Sequence, residues 1–386
     1  MSEKKILFVI DSLGIGGAEK SLTTLLSFLS RDSDYDITLL TVARGGAFEK
    51  HLPPGITPAT LPLLSNSTAG RINHTVRRIA MFVSRKIMFG RVHNVDFHWK
   101  FMGGAIPPLT EKYDIAIAYQ QGLPTFFVDN KVCADRKICW INADLRKSGY
   151  DMEHCRKHYR NFDTIVAVSD ILRDMIVREY PELKDKITTI NDIVDIDLIH
   201  HLASGPSPYP TDSFALKLLT IGRLHHEKGQ DIALQAAHLL TLRGLDFHWY
   251  FVGDGPMKEQ LERLVSRLGL DGKVTLCGFD DNPYPYIKHC DIYIQPSRHE
   301  GYGISLFEAG SFRRPLVTTD FPVARVHINS DTGLIAPTSP EGLADAIIRL
   351  SAPETREKLY SSPSRSFYST VARESLLRVT NLLNHA

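Results

Sequence analysis

The chain has 386 residues, more than one ordinary hydrophobic core organises, so two domains are expected. Hydrophobic residues make up 43% of it, enough for two packed cores and too many for a disordered chain. The 45 Lys and Arg nearly cancel the 44 Asp and Glu, which excludes nucleic-acid binding by bulk charge.

In chain order, residues 5–10 form a short apolar run that reads as a strand. It is too short for a signal-peptide core, and Asp11 follows it directly. Leu22, Leu25, Leu26 and Leu29 recur at helical spacing and mark one buried face. Residues 37–42 read as a second strand, and such alternation predicts a parallel sheet with helices on its faces. Residues 53–69 are rich in Pro and Ser and read as loop. Residues 71–91 hold six basic residues and no acid, interleaved with Ile79, Met81, Phe82, Ile87 and Phe89. As a helix this segment suits an anionic lipid surface, and it equally suits an ordinary helix with a solvated basic face. Further strands are expected at 114–118, 137–141, 164–168 and 188–190.

The sequence 204–213, SGPSPYPTDS, breaks the pattern and reads as a linker. Beyond it strands are expected at 217–221, 248–252, 273–277, 291–295 and 315–318. Helices are expected at 230–243, 257–268, 305–312 and 341–351. The expected domains are therefore 1–205 and 206–367, with a last helix near 368–386 returning to the first. Five cysteines without a CxxC pair argue against a zinc ribbon or disulfide framework and suit a reduced, cytoplasmic chain. No stretch approaches the roughly 18 apolar residues of a membrane helix.

Three segments carry chemistry. The first, Asp11 to Glu19, places Gly14, Gly16 and Gly17 between a strand and a helix, where a phosphate can meet free amides. The GxGxxG spacing fails because Glu19 stands at the third glycine, and residues 41–44 offer no acid for a ribose. A nicotinamide oxidoreductase is disfavoured accordingly; a plain tight turn is the simpler alternative. The second segment, Gly222 to Gly229, sets Arg223 and Lys228 around a strand-to-helix turn. Such cations neutralise a diphosphate leaving group when no metal does so, although a lone surface cation more often does nothing. In the third, Glu300 precedes Gly301, Tyr302, Gly303 and Ile304, and Glu308 lies within the helix that follows. The turn amides suit phosphate oxygens, Glu308 suits a pair of ribose hydroxyls, and Glu300 suits the sugar.

Together these segments resemble the retaining glycosyltransferases of family 4. The resemblance implies the GT-B fold: α/β, with two Rossmann-like parallel-sheet domains facing across a cleft. The paired-glutamate signature matches Glu300 and Glu308, and the diphosphate-binding Arg and Lys match Arg223 and Lys228. The N-terminal glycine loop matches Gly16 and Gly17, and Gly253 begins a common family loop. The likeness is dense from about residue 217 to 350 and thin before that. It implies Glu300, Arg223 and Lys228 as catalytic groups. Donor-binding groups would be Gly16, Gly17, Arg223, Lys228, Gly253, Glu300, Gly301, Tyr302, Gly303, Ile304 and Glu308. The acceptor side would include Asn142 and Asp144. The chain departs from many relatives where Asn142 stands in place of a His, which removes a titrating group, and at 311–315 beyond the second glutamate.

The resemblance further implies a UDP-sugar donor ahead of a GDP-sugar, no metal and no other cofactor. The acceptor would be a glycan or lipid-linked oligosaccharide of bacterial surface polysaccharide synthesis, handled peripherally at the inner face of the plasma membrane. Asp195-Ile196-Asp197 spells DxD, a metal–nucleotide signature of another fold, but three residues carry little weight. A non-hydrolysing sugar-nucleotide epimerase and an inactive GT-B binding protein remain the alternative readings.

Overall fold

The computed structural model describes residues 3–31, 34–61, 94–211, 215–360 and 365–384. The basic segment 71–91, with its expected lipid-facing helix, lies outside the described residues. The chain divides into two units, one of Met1–Ile193 with Arg378–Ala386 and one of Val194–Leu377.

The first unit is built on a seven-stranded sheet of order β3-β2-β1-β4-β5-β6-β7. The strands are β1 (Lys4–Ile10), β2 (Tyr35–Thr41), β3 (Ala59–Thr60), β4 (Lys112–Ala118), β5 (Cys133–Ile141), β6 (Thr164–Ala167) and β7 (Ile187–Thr189). All pairings are parallel; Ile6 sits between Ile37 and Ile115. Ile6 to Ile10 are wholly buried, as an unbroken apolar run must be when helices cover both faces of its sheet. The helix Gly17–Leu29 turns inward the four leucines whose spacing predicts it. Ser169 caps the helix Asp170–Glu179 by accepting the Leu172 N–H.

The second unit has a six-stranded sheet of order β10-β9-β8-β11-β12-β13, again parallel throughout. Its strands are β8 (Leu216–Ile221), β9 (Phe247–Val252), β10 (Val274–Gly278), β11 (Ile292–Gln295), β12 (Leu316–Thr319) and β13 (Gly333–Ala336). Trp249 fills the core and donates its indole N–H to Thr220 Oγ1 at 3.1 Å, so its one polar atom is satisfied. Strand order reverses between β8 and β11, the place where such sheets leave a crevice beyond their carboxyl ends.

Each strand expected from the sequence is present. The sequence misses β3 and β13, which are too short and too close to turns to show periodicity. The second unit begins at Val194, earlier than the expected break after residue 205. The cause is the helix Ile196–Leu202, whose His200 stacks on Phe312 with centroids 4.1 Å apart. That contact outweighs the loop composition that follows it. The last helix, Arg365–Asn384, is divided between the units: Tyr368 packs on Phe307, whereas residues from Arg378 onward belong to the first unit. There the Leu383 carbonyl accepts from Lys4 Nζ at 2.7 Å. Among the described residues no helix is long and apolar enough to cross a membrane.

Candidate donor site

The loops leaving β8 and β11 are brought side by side by the strand order, and they carry the second and third sequence segments. Arg298 joins them. Its guanidinium donates to both carboxylate oxygens of Asp231 at 2.7 Å and to the His226 carbonyl at 2.7 Å. Its own N–H donates to the Glu227 carbonyl at 2.7 Å. A planar fork on a carboxylate fixes distance and orientation together.

Glu300 is held by three side chains. Lys228 Nζ donates to its two oxygens at 2.8 and 2.7 Å, Gln295 Nε2 to Oε1 at 2.7 Å and Ser297 Oγ to Oε1 at 2.6 Å. Gln295 is itself oriented by the Tyr293 hydroxyl, 2.8 Å from its Oε1. The Glu300 side chain is only 7% exposed, so the carboxylate depends on these donors in place of water. Arg223 is exposed and forms no ion pair among the described residues. Burial, then the Arg223 charge, push the neighbouring His225 imidazole below its usual range.

Gly303 caps the helix Ile304–Ser311 in a left-handed conformation, φ +89°. The N–H groups of Gly303, Ile304 and Ser305 have no acceptor among the described residues, as expected of a helix start that has no capping side chain. They form a row of donors just beyond Glu300 in the chain, with the positive end of the helix behind them. Glu308, one turn further on, is buried and accepts from the Tyr284 hydroxyl at 3.2 Å. Gly253 spends its N–H on the Gly278 carbonyl at 2.7 Å; its contribution is close main-chain packing against Gly222. Residues 311–315 end the helix, with Arg313 left-handed at φ 59° and Arg314 donating to the Cys290 carbonyl at 3.0 Å.

The structure thus gathers Arg223, Lys228, Glu300, Gly301, Tyr302, Gly303, Ile304 and Glu308 at one edge of the second sheet. Gly16, Gly17, Asn142 and Asp144 belong to the first unit. Gly16 caps the helix Gly17–Leu29, and the Glu19 carboxylate folds back against it. A phosphate at this helix start would share it with a negative charge. Asn142 donates to the Tyr119 carbonyl at 2.9 Å, and its buried Oδ1 has no hydrogen-bond partner among the described residues. Asp144 caps a turn by accepting the Arg146 and Lys147 N–H groups at 3.0 and 3.1 Å. Asp195, the first acid of the DxD match, caps the helix Ile196–Leu202. Among the described residues no cluster of His, Cys, Asp and Glu is arranged to hold a metal.

Sequence reasoning missed Gln295, Ser297, Arg298 with Asp231, and Tyr284. One signal was available: Gln295 is a glutamine ending the apolar run Ile292–Gln295, all four of whose residues are buried. A buried amide in such a place needs a polar partner. Sequence reasoning also missed Asp11, at the carboxyl end of β1. Burial chiefly, then nearby Glu19, push its carboxyl up to about 7.

Known proteins resemble this chain in sequence and in fold. Residues 215–352 match the family model described as "Glycosyl transferases group 1". Over 148 residues the chain is 37% identical to an alpha-D-kanosaminyltransferase of Streptomyces kanamyceticus, covering 37% of this chain and 38% of that protein. The chain spans less than half the length of several curated relatives it matches. A longer alignment, 29% identical over 324 residues, covers 82% of this chain. It reaches 81% of the N-acetylgalactosamine-N,N'-diacetylbacillosaminyl-diphospho-undecaprenol 4-alpha-N-acetylgalactosaminyltransferase of Campylobacter jejuni. In fold, the chain matches Anabaena HepE in complex with UDP and glucose with a TM-score of 0.73. That match has 17% identity and covers 100% of both chains. The architecture is GT-B.

Proposed function

We propose that this chain, which carries a group 1 glycosyltransferase domain on a GT-B fold, is a retaining glycosyltransferase of family 4. In this reading it moves a hexose or N-acetylhexosamine from a nucleotide sugar, UDP-linked ahead of GDP-linked, to a glycan or lipid-linked oligosaccharide. The name of the Campylobacter relative includes an undecaprenol-linked acceptor, which supports a surface-glycan role and work at a membrane face. The observation that carries the proposal is the Lys228–Glu300 pair on loops that also carry Arg223, which forms no ion pair among the described residues, and the 303–305 amides, which have no acceptor among them.

In the reaction, the bond between the anomeric carbon and the diphosphate oxygen breaks, and both electrons leave with the nucleoside diphosphate. The acceptor hydroxyl oxygen bonds the same carbon from the same face, and its proton passes to a phosphate oxygen of the leaving group. Arg223, Lys228 and the amides of Gly303 to Ser305 oppose the charge that grows on the diphosphate. Glu300 Oε1 already accepts from Lys228, Gln295 and Ser297. A carboxylate so engaged is a poor nucleophile and a good fixed negative charge for an oxocarbenium-like ring. The role of Glu300 is therefore to position sugar hydroxyls and stabilise the ring, with no covalent intermediate.

The test is a screen of UDP- and GDP-sugars for slow hydrolysis and transfer, with product anomers read by NMR. One donor should be consumed with configuration kept, and Glu300→Ala should slow this at least about 100-fold. An inverted product, or release of free nucleotide with sugar isomerised and no acceptor needed, would refute the reading.

A further inference from the structure

Tyr302 has a glycine on either side, and Gly303 adopts φ +89°. A peptide unit between Tyr302 and such a glycine rotates easily, because no Cβ at Gly303 resists exchange of carbonyl and amide. The donor row nevertheless needs one direction for the Gly303 N–H. In a planar trans peptide the Tyr302 carbonyl and the Gly303 N–H point opposite ways, so fixing one fixes the other.

His327 fixes it. Its Nε2 lies 2.6 Å from the Tyr302 carbonyl oxygen. A carbonyl oxygen only accepts, so Nε2 carries the proton and donates. The ring is buried edge-on to Tyr302 at 4.9 Å and to Phe307 at 6.0 Å. Burial pushes this imidazole down to about 4, so it is neutral at ordinary pH. The His327 main chain is anchored in turn, its carbonyl accepting from Thr332 Oγ1 at 3.2 Å. An apolar side chain would fill the same volume; what a histidine adds at this site is the Nε2–H.

We propose that His327 is a positioning residue for the diphosphate: it pins the Tyr302 carbonyl and so aims the Gly303 N–H, with those of Ile304 and Ser305, at phosphate oxygens. The proposal rests on the donor-site reading above. It concerns a side chain that touches neither sugar nor nucleotide and acts through the turn alone.

The experiment is isothermal titration of the full chain with UDP, GDP, uridine and guanosine, run on wild type, His327→Phe and His327→Gln, with thermal melts alongside. Phe keeps an aromatic ring but no donor; Gln keeps an amide N–H at a similar reach. His327→Phe should lose about tenfold affinity for the preferred diphosphate, the cost of one well-placed hydrogen bond. Binding of the matching nucleoside should stay unchanged, and His327→Gln should recover most of the loss. Wild type that binds neither diphosphate would defeat the donor-site reading and this proposal with it. Wild-type binding matched by His327→Phe would overturn the positioning role alone. So would equal weakening toward nucleoside and diphosphate, since general loosening of the fold does not single out phosphates.

Discussion

Gly229 lies so close to Pro296 that a Cβ added at Gly229 would overlap the Pro296 carbonyl oxygen. The two residues belong to the loops after β8 and β11, so this close approach is what sets Lys228 beside Glu300. Gly229 also adopts φ +67°, a left-handed conformation that a Cβ disfavours.

Gly229→Ala should therefore lose about 2 kcal/mol or more of stability: left-handed strain alone costs about 1–2 kcal/mol, and the Pro296 overlap adds to it. Urea denaturation at neutral pH measures this. A loss below about 0.5 kcal/mol would show that the loops can part without cost, against the packing described.

Lys228→Met should lower turnover about 100-fold, in line with removal of one charge-stabilising donor. It should also cost about 1–3 kcal/mol of stability, because Glu300 is left in an almost dry setting without its countercharge. Adding Glu300→Gln should return much of that stability and none of the activity. If the double variant is no more stable than Lys228→Met, the pair is not the part-buried ionic contact the distances imply.

Asp11 gives the chain a specific dependence on pH. Its carboxyl titrates near 7 in the fold against 3.8 ordinarily, chiefly through burial. Below about 4 it is protonated both folded and unfolded and costs nothing; between about 4 and 7 only the unfolded chain releases the proton, so stability falls as pH rises. Above that window the full penalty is present, each unit of displacement being worth about 1.4 kcal/mol. Asp11→Asn removes the titration, so its stability relative to wild type should rise between pH 4.5 and pH 8, as read by urea midpoints. A difference that stays flat across that range would show that the fold does not desolvate the Asp11 carboxyl.

The sequence by itself determined the sheet class and most strands, and it marked the loops on which the candidate site was expected. Unbroken apolar runs such as Ile6 to Ile10 fit strands covered on both faces, and glycine-rich turns beside charged residues mark where such sheets present their loops. Only the tertiary structure decided which partners complete the site. Gln295 and Ser297 reach Glu300 across a turn, Arg298 reaches Asp231 from another loop, and His327 reaches Tyr302 from beyond the next strand. Hydrogen bonds over such separations leave no period in the chain, because they depend on strand order and main-chain direction. The same reason explains the boundary at Val194: composition marks a flexible stretch, but the stacking of His200 on Phe312 decides which unit the preceding helix joins.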